Sequence, residues 1–264
     1  MRANSLGGSR PRQLTGRCIY CGRPGETKEH VPPRALLDKP YPDAPPVVAA
    51  CQQCNGGYSK DEEYVACVLE AVVCGSARPG DQRRDSVRNA LRHSPKLQHL
   101  IDSAQEATLF GPPVWRPDKA RLDRVFAKIA RGHIAFHTGW HIQYDTKPDI
   151  WFGPDELTEG LVPGVRLLLD VGTPGLTAAL LYPDSRKRWR PNDAGRICVQ
   201  KERYEYEYAP PCSVEMLIED YLHVAVSWDE SDVIGIDSDH EWFEWSWDDD
   251  EAALALEKAP RQPN

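Results

Sequence analysis

The sequence predicts an α+β protein: a metal-stapled module in front, a helical middle, and a mostly antiparallel β part behind. Three observations predict it. Two Cys-x-x-Cys pairs, Cys18/Cys21 and Cys51/Cys54, punctuate a proline-rich stretch with little apolar content. Apolar residues then recur at helical spacing after Ser59 and again after Asp118. Beyond Gly139 the pattern turns to alternation, clearest in Arg203–Tyr208, which sets three tyrosines on one strand face.

Residues 1–15 read as a disordered basic leader, 16–75 as the front domain, and 76–264 as a helical plus β domain of unassigned role. In the front domain, short strands are expected near Val31 and over Val47–Ala50. Ser59 and Glu62 have the spacing of a capping box. Tyr64, Cys67, Val68, Ala71 and Val72 then form a helical stripe, and Gly75 is the natural stop. Two more helices are expected, over 83–106 with a break near Pro95, and over 118–137. In the second, Leu122, Val125, Phe126, Ile129 and Ala130 form the apolar face, with Lys128 and Arg131 outside it. Strands are expected at His141–Tyr144, Val165–Val171, Leu176–Leu181, Ile197–Tyr208, Ser213–Ile218 and His223–Trp228. Trp242 to Trp247 alternates as well.

No apolar run is long enough to span a membrane, and the first residues do not read as a signal peptide, so the expected location is cytoplasmic. Net charge is −8, but unevenly spread. Residues 1–60 hold nine Lys and Arg against four Asp and Glu, whereas residues 205–264 hold two against 17. The basic front suits a phosphate backbone. The acidic, Trp-rich end (Trp242, Trp245, Trp247, Asp248–Asp250) would repel one, and could instead dock a protein partner.

Four of the eight cysteines sit in the two pairs, 29 residues apart. Two knuckles offering four sulfurs suit a closed, tetrahedral, structural Zn2+ site in a reducing compartment. Gly22 fits the tight turn after the first pair. The other four cysteines (Cys67, Cys74, Cys198, Cys212) read as small apolar residues. His133, His137 and His141 invite a metal reading through their spacing, but no acidic residue accompanies them.

Between the knuckles lies Glu29-His30. Pro32 disfavours helix at Val31, so the pair sits on a strand or strand end, its side chains on opposite faces. Asn55 follows the last knuckle cysteine. Asp61, Glu62 and Glu63 fall in a first helical turn, where the helix dipole favours acids. Together, Cys18-Ile-Tyr-Cys21, Glu29-His30-Val31-Pro32 and Cys51-Gln-Gln-Cys54-Asn55 resemble the zinc-bearing HNH endonucleases, whose fold is two strands and a helix around a metal (ββα-metal). The longer run from Glu29 to Leu37 and from Tyr58 to Tyr64 resembles a bacterial branch of HNH-type proteins. The resemblance is specific over 18–74 and loose beyond.

The resemblance implies a metal-dependent endonuclease that hydrolyses phosphodiester bonds of nucleic acid, DNA most readily. It makes His30 the general base. It makes Glu29 and Asn55 the ligands of one Mg2+ or Mn2+ that stabilises the transition state. Asp61, Glu62 and Glu63 are supporting candidates. Two departures stand out. Glu29 replaces a frequent Asp, and Asp43 stands where the middle Asn of the family name would brace the His loop. Asp43 can accept the same hydrogen bonds but cannot donate one. Lys28, Arg34 and Lys60 are candidates for phosphate contacts, which position a backbone without reading sequence. The alternative is a zinc-ribbon module with a decayed site that binds nucleic acid or a protein.

Overall fold

The computed structural model describes residues 16–43, 45–106, 114–153, 166–167, 197–209, 211–219 and 222–234. The order begins with a hairpin, β1 (Thr27–His30) and β2 (Val47–Ala50), paired antiparallel with Glu29 opposite Val48 and His30 opposite Val47. Two helices come next, α1 (Gln52–Gly57) and α2 (Ser59–Cys74). Hairpin then helix, with the four knuckle cysteines at its base, is the front of the expected α+β architecture.

The end of α2 is as the sequence predicts. Gly75 adopts φ 68° and its N–H reaches back to the Ala71 and Val72 carbonyls, a left-handed stop that costs glycine little. Its start is not. Tyr58, not Ser59, is the N-cap residue, and no side chain caps it. The Ser59 hydroxyl instead donates to the Gly56 carbonyl (2.8 Å), so no capping box forms. Glu62 faces inward, toward Lys128 of a later helix.

Next come α3 (Asp85–His93) and α4 (Pro95–Asp102), separated at Pro95 as expected. Ser94 caps α4 by accepting from the Leu97 N–H (3.3 Å). Helix α5 (Lys119–Thr138) is capped by Asp118 and stopped by Gly139 at φ 73°. It packs against α2, β2, and three later strands. Its buried residues include the predicted face and also Lys128, Gly132 and His133, so Lys128 does not lie outside that face.

The rest is strand. Short β3 (Gln105–Glu106), β4 (Val114–Trp115) and β7 (Arg166–Leu167) form one small sheet; β5 (His141–Ile142) and β12 (Val233–Ile234) form another. The main sheet has the order β6-β11-β10-β9-β8, all antiparallel, from β6 (Asp149–Gly153), β8 (Ile197–Gln200), β9 (Tyr204–Ala209), β10 (Ser213–Ile218) and β11 (Leu222–Ser227). The single strand expected over Ile197–Tyr208 is therefore two, hinged where Glu202 takes φ 60°. Strand β6 has no sequence signal. Of the strand expected at Val165–Val171, β7 is the part described. The leader, Leu176–Leu181, Trp242–Trp247 and the acidic end lie outside the described residues.

One face of the sheet is apolar: Val214, Met216 and Ile218 from β10, Val224 and Val226 from β11, Tyr204 and Tyr206 from β9. Helix α5 lies on it, and one continuous core runs from Cys18 to Trp228. His133 bonds the Tyr204 hydroxyl (2.9 Å) and His137 that of Tyr206 (2.9 Å). These two histidines are thus held by the sheet. Burial pushes both below the ordinary histidine pKa, His133 strongly. The candidate unit 16–75 shares this core with α5 and the main sheet. Among the described residues, no helix is long and apolar enough to cross a membrane.

Candidate metal centre and the His30 face

The first knuckle is a tight turn. The N–H groups of Cys21 and Gly22 both point at the Cys18 carbonyl (3.4 and 2.8 Å), and Gly22 takes φ 71°. The second opens α1. Cys51 is its N-cap, and its sulfur accepts from the Cys54 N–H (3.3 Å). The Ile19 N–H bonds the Ala49 carbonyl (3.1 Å), which seats one knuckle beside the other. The four sulfurs of Cys18, Cys21, Cys51 and Cys54 lie within 4.8 Å of one another, and none is in a disulfide. They could hold a structural metal such as zinc. Cys67 has no such company, and burial pushes its thiol up to about 12, an inert core residue as its helical stripe implies.

His30 ends β1, half-buried. The Arg34 guanidinium, four residues on, has its Nη2 3.1 Å from His30 Nε2. Arginine can only donate. Nε2 must therefore offer its lone pair, and the imidazole is neutral in this contact. Arg34 also stacks over Tyr41, 5.3 Å from the ring centre. Asp43 is exposed, and it is Arg34 that stands against this ring nitrogen.

Asn55 lies inside α1. Its amide nitrogen donates to the Thr27 hydroxyl (3.0 Å) and to the Lys28 carbonyl (3.2 Å), tying the helix to the open edge of β1. The amide oxygen, the atom a cation would need, is the end not spent on these bonds.

Glu29 points the other way from His30 and is 5% exposed. Its carboxylate meets Lys128 of α5 at 2.9 Å. The same ammonium bonds Glu62 of α2. Burial pushes the Glu29 carboxyl above its ordinary value, Lys128 pulls it back, and Glu62 adds to the rise. Nothing in this arrangement supports a Mg2+ or Mn2+ on Glu29 and Asn55: one oxygen of that carboxylate, Oε1, is already held by the Lys128 ammonium.

The supporting residues divide. Asp61 holds Arg124 (2.9 Å) and Arg121 (3.6 Å) of α5. Glu63 and Lys60 are exposed, and Lys28 is half-buried. Lys128 is the residue that sequence reasoning misses. Its partners lie 66 and 99 positions back in the chain, so nothing local signals its burial.

Comparisons with protein-family models, with curated proteins and with solved structures each return no match.

Proposed function

We propose that this protein is an endonuclease, hydrolysing phosphodiester bonds of nucleic acid with His30 as general base, on a module stapled by structural Zn2+. The observation that carries it is the His30–Arg34 contact. The guanidinium donates to Nε2, so the lone pair a base needs is held by Arg34 until the guanidinium is drawn away. The same guanidinium is a natural ligand for a phosphate. When a phosphate takes Arg34, Nε2 is released to accept a proton from water. The water oxygen then forms a bond to phosphorus as the P–O3′ bond breaks; the bonding pair leaves on O3′, which takes a proton from solvent. The hairpin and α1, joined at the cysteines and through Asn55, support the HNH-like reading. No step is assigned to a divalent cation.

A second reading, a module that binds nucleic acid or a protein without cleaving, is favoured by the engagement of Glu29 with Lys128. Plasmid nicking separates the two. The native chain should nick, and His30→Ala should lose about a hundredfold or more in rate while keeping its zinc and its fold. Equal nicking by both chains would remove His30 from the mechanism. DNA binding without nicking by the native chain would leave the second reading.

A further inference from the structure

The segment from Arg34 to Tyr41 closes on itself beside His30. The Arg34 guanidinium stands 3.1 Å from His30 Nε2 and stacks over the Tyr41 ring, 5.3 Å from its centre. Between those two residues, Leu36 and Leu37 seat the segment in the core, 2% and 3% exposed. Burial of this kind has no direction, so it does not by itself say where an exposed guanidinium comes to rest. Hydrogen bonds do have direction, and those that hold this segment come from far along the chain.

Three side chains supply them. Arg84 donates to the carbonyls of Ala35 and Leu37 (2.9 and 2.6 Å) and to Asp38 Oδ1 (2.7 Å). The other two share the turn between β8 and β9, closed by the Arg203 N–H on the Gln200 carbonyl (3.1 Å). Arg203 takes the Asp38 carboxylate (2.9 and 2.6 Å). Gln200 takes the Asp38 backbone. Its Oε1 accepts from the Asp38 N–H (2.7 Å), and its Nε2 donates to the Asp38 carbonyl (2.9 Å) and to that of Pro40 (3.4 Å). A side-chain amide bonded to both backbone groups of one residue imitates the pairing of a neighbouring strand. It fixes how far the chain has advanced at Asp38, midway between Arg34 and Tyr41.

We infer that Gln200 is a positioning residue for Arg34: through the backbone of Asp38 it fixes the loop that sets the guanidinium against His30. Gln200 touches neither His30 nor Arg34, and acts 162 positions from the residue it grips. Its place in catalysis rests on the proposed role of His30 and Arg34; the positioning itself is read without any nuclease assay. While Arg34 donates to Nε2, the ring proton stays on Nδ1. When the guanidinium drifts away, that proton can move to Nε2.

The test is NMR of the zinc-loaded full chain carrying 15N-labelled histidine, at one fixed pH where the imidazole is neutral. It reads the ratio of the Nδ1–H to the Nε2–H form of His30, assigned from His30→Gln. The native chain should hold the Nδ1–H form, and Arg34→Met, which removes the donor, sets the other limit. Gln200→Leu should lower the ratio about fivefold, the equivalent of one net hydrogen bond. Val226→Ala, which truncates the core on β11 of the same sheet, should keep the native ratio. A Gln200→Leu ratio equal to the native one, while Arg34→Met shifts it, overturns the inference. An equal fall in Val226→Ala overturns it too, because the effect would then be general loosening. If Arg34→Met shifts nothing, the contact is absent and the inference falls together with the proposed function. The expected shifts in a native chain that nicks no DNA uphold the inference and sink the nuclease alone. Should Gln200→Leu not fold, Gln200→Glu, which keeps the acceptor and loses the donor, is read against the same limits.

Discussion

Arg203→Met should cost this protein about 3 kcal/mol, and the cost should depend on pH in one direction. Arg203 is 8% exposed and stands where three carboxylates meet. Its Nε and Nη2 donate to Asp38 (2.9 and 2.6 Å), its Nη1 is 2.5 Å from Glu219, and Glu70 is 3.8 Å away. Removing one partner from a buried pair costs roughly 3–5 kcal/mol. The low end applies here because the orphaned acids keep other partners. Glu70 still accepts from the backbone N–H groups of Arg83 and Arg84 (2.9 and 3.1 Å) and from the Arg83 guanidinium (3.1 Å). Among the described residues Glu219 keeps Arg83, whose side chain is 49% exposed and therefore screened.

Glu219 sets the pH dependence. Burial raises its carboxyl above the ordinary value, and Arg203 pulls it back. A carboxyl whose folded pKa lies above its unfolded one loses stability as pH rises through that gap. Without Arg203 the gap widens upward. The loss relative to the native chain should be largest near about pH 8 and smaller near about pH 5, where Glu219 can take a proton. Urea unfolding at both pH values measures it, urea being uncharged. A loss under about 1 kcal/mol, or one that grows towards acid, refutes the reasoning.

Two further outcomes are expected from the packing. Purified protein should carry one zinc per chain, and Cys51→Ser or a chelator should release it and unfold the front module, since apparent zinc binding of about 10–16 kcal/mol rivals the stability of a whole domain; cooperative far-UV unfolding retained in a zinc-free chain would count against the centre. Gly132→Ala sets two effects in opposition: helix propensity gains about 1 kcal/mol, but the new Cβ would lie 2.7 Å from a methyl of Val31, itself 1% exposed, at an overpacking cost of about 1–3 kcal/mol. A net loss near about 1 kcal/mol is expected by denaturant titration, and a more stable variant would show that Val31 yields.

What is legible in the sequence is what local chemistry decides. The knuckles are read from spacing because each is a single turn, and Gly75 is read as a stop because the left-handed residue must come where the apolar stripe ends. Strands β10 and β11 are read from alternation because one of their faces is buried. What is not legible depends on partners far along the chain. Asp149–Gly153 has no alternating run of its own and becomes a strand by pairing with β11. Glu62 reads as half of a capping box and is instead a partner for a lysine 66 positions away. Glu29 reads as available to a metal because the lysine that neutralises it lies 99 positions away. Arg203 reads as an outward residue of a strand, and is buried because it meets acids from three other segments.

These long-range partners converge on one helix, and that gives the molecule its logic. On α5, Lys128 neutralises the strand that carries His30, and Gly132 leaves the gap that Val31 fills. Arg131 donates to the carbonyls of Ile142, Gln143 and Thr146, fixing the loop after the helix, and Tyr144 of that loop rests on the first knuckle at Gly22. His133 and His137 anchor the same helix to the tyrosines of β9. The hairpin with its cysteines is thus not a bead attached to an unrelated sheet. A chain cut after residue 75 would keep both knuckles, but it would leave Glu29 and Glu62 facing each other without a cation and uncover Val31 beside His30. The position of the imidazole is set as much by the second half of the chain as by the metal centre. The acceptor state of that imidazole, in turn, is set by Arg34, within the hairpin itself.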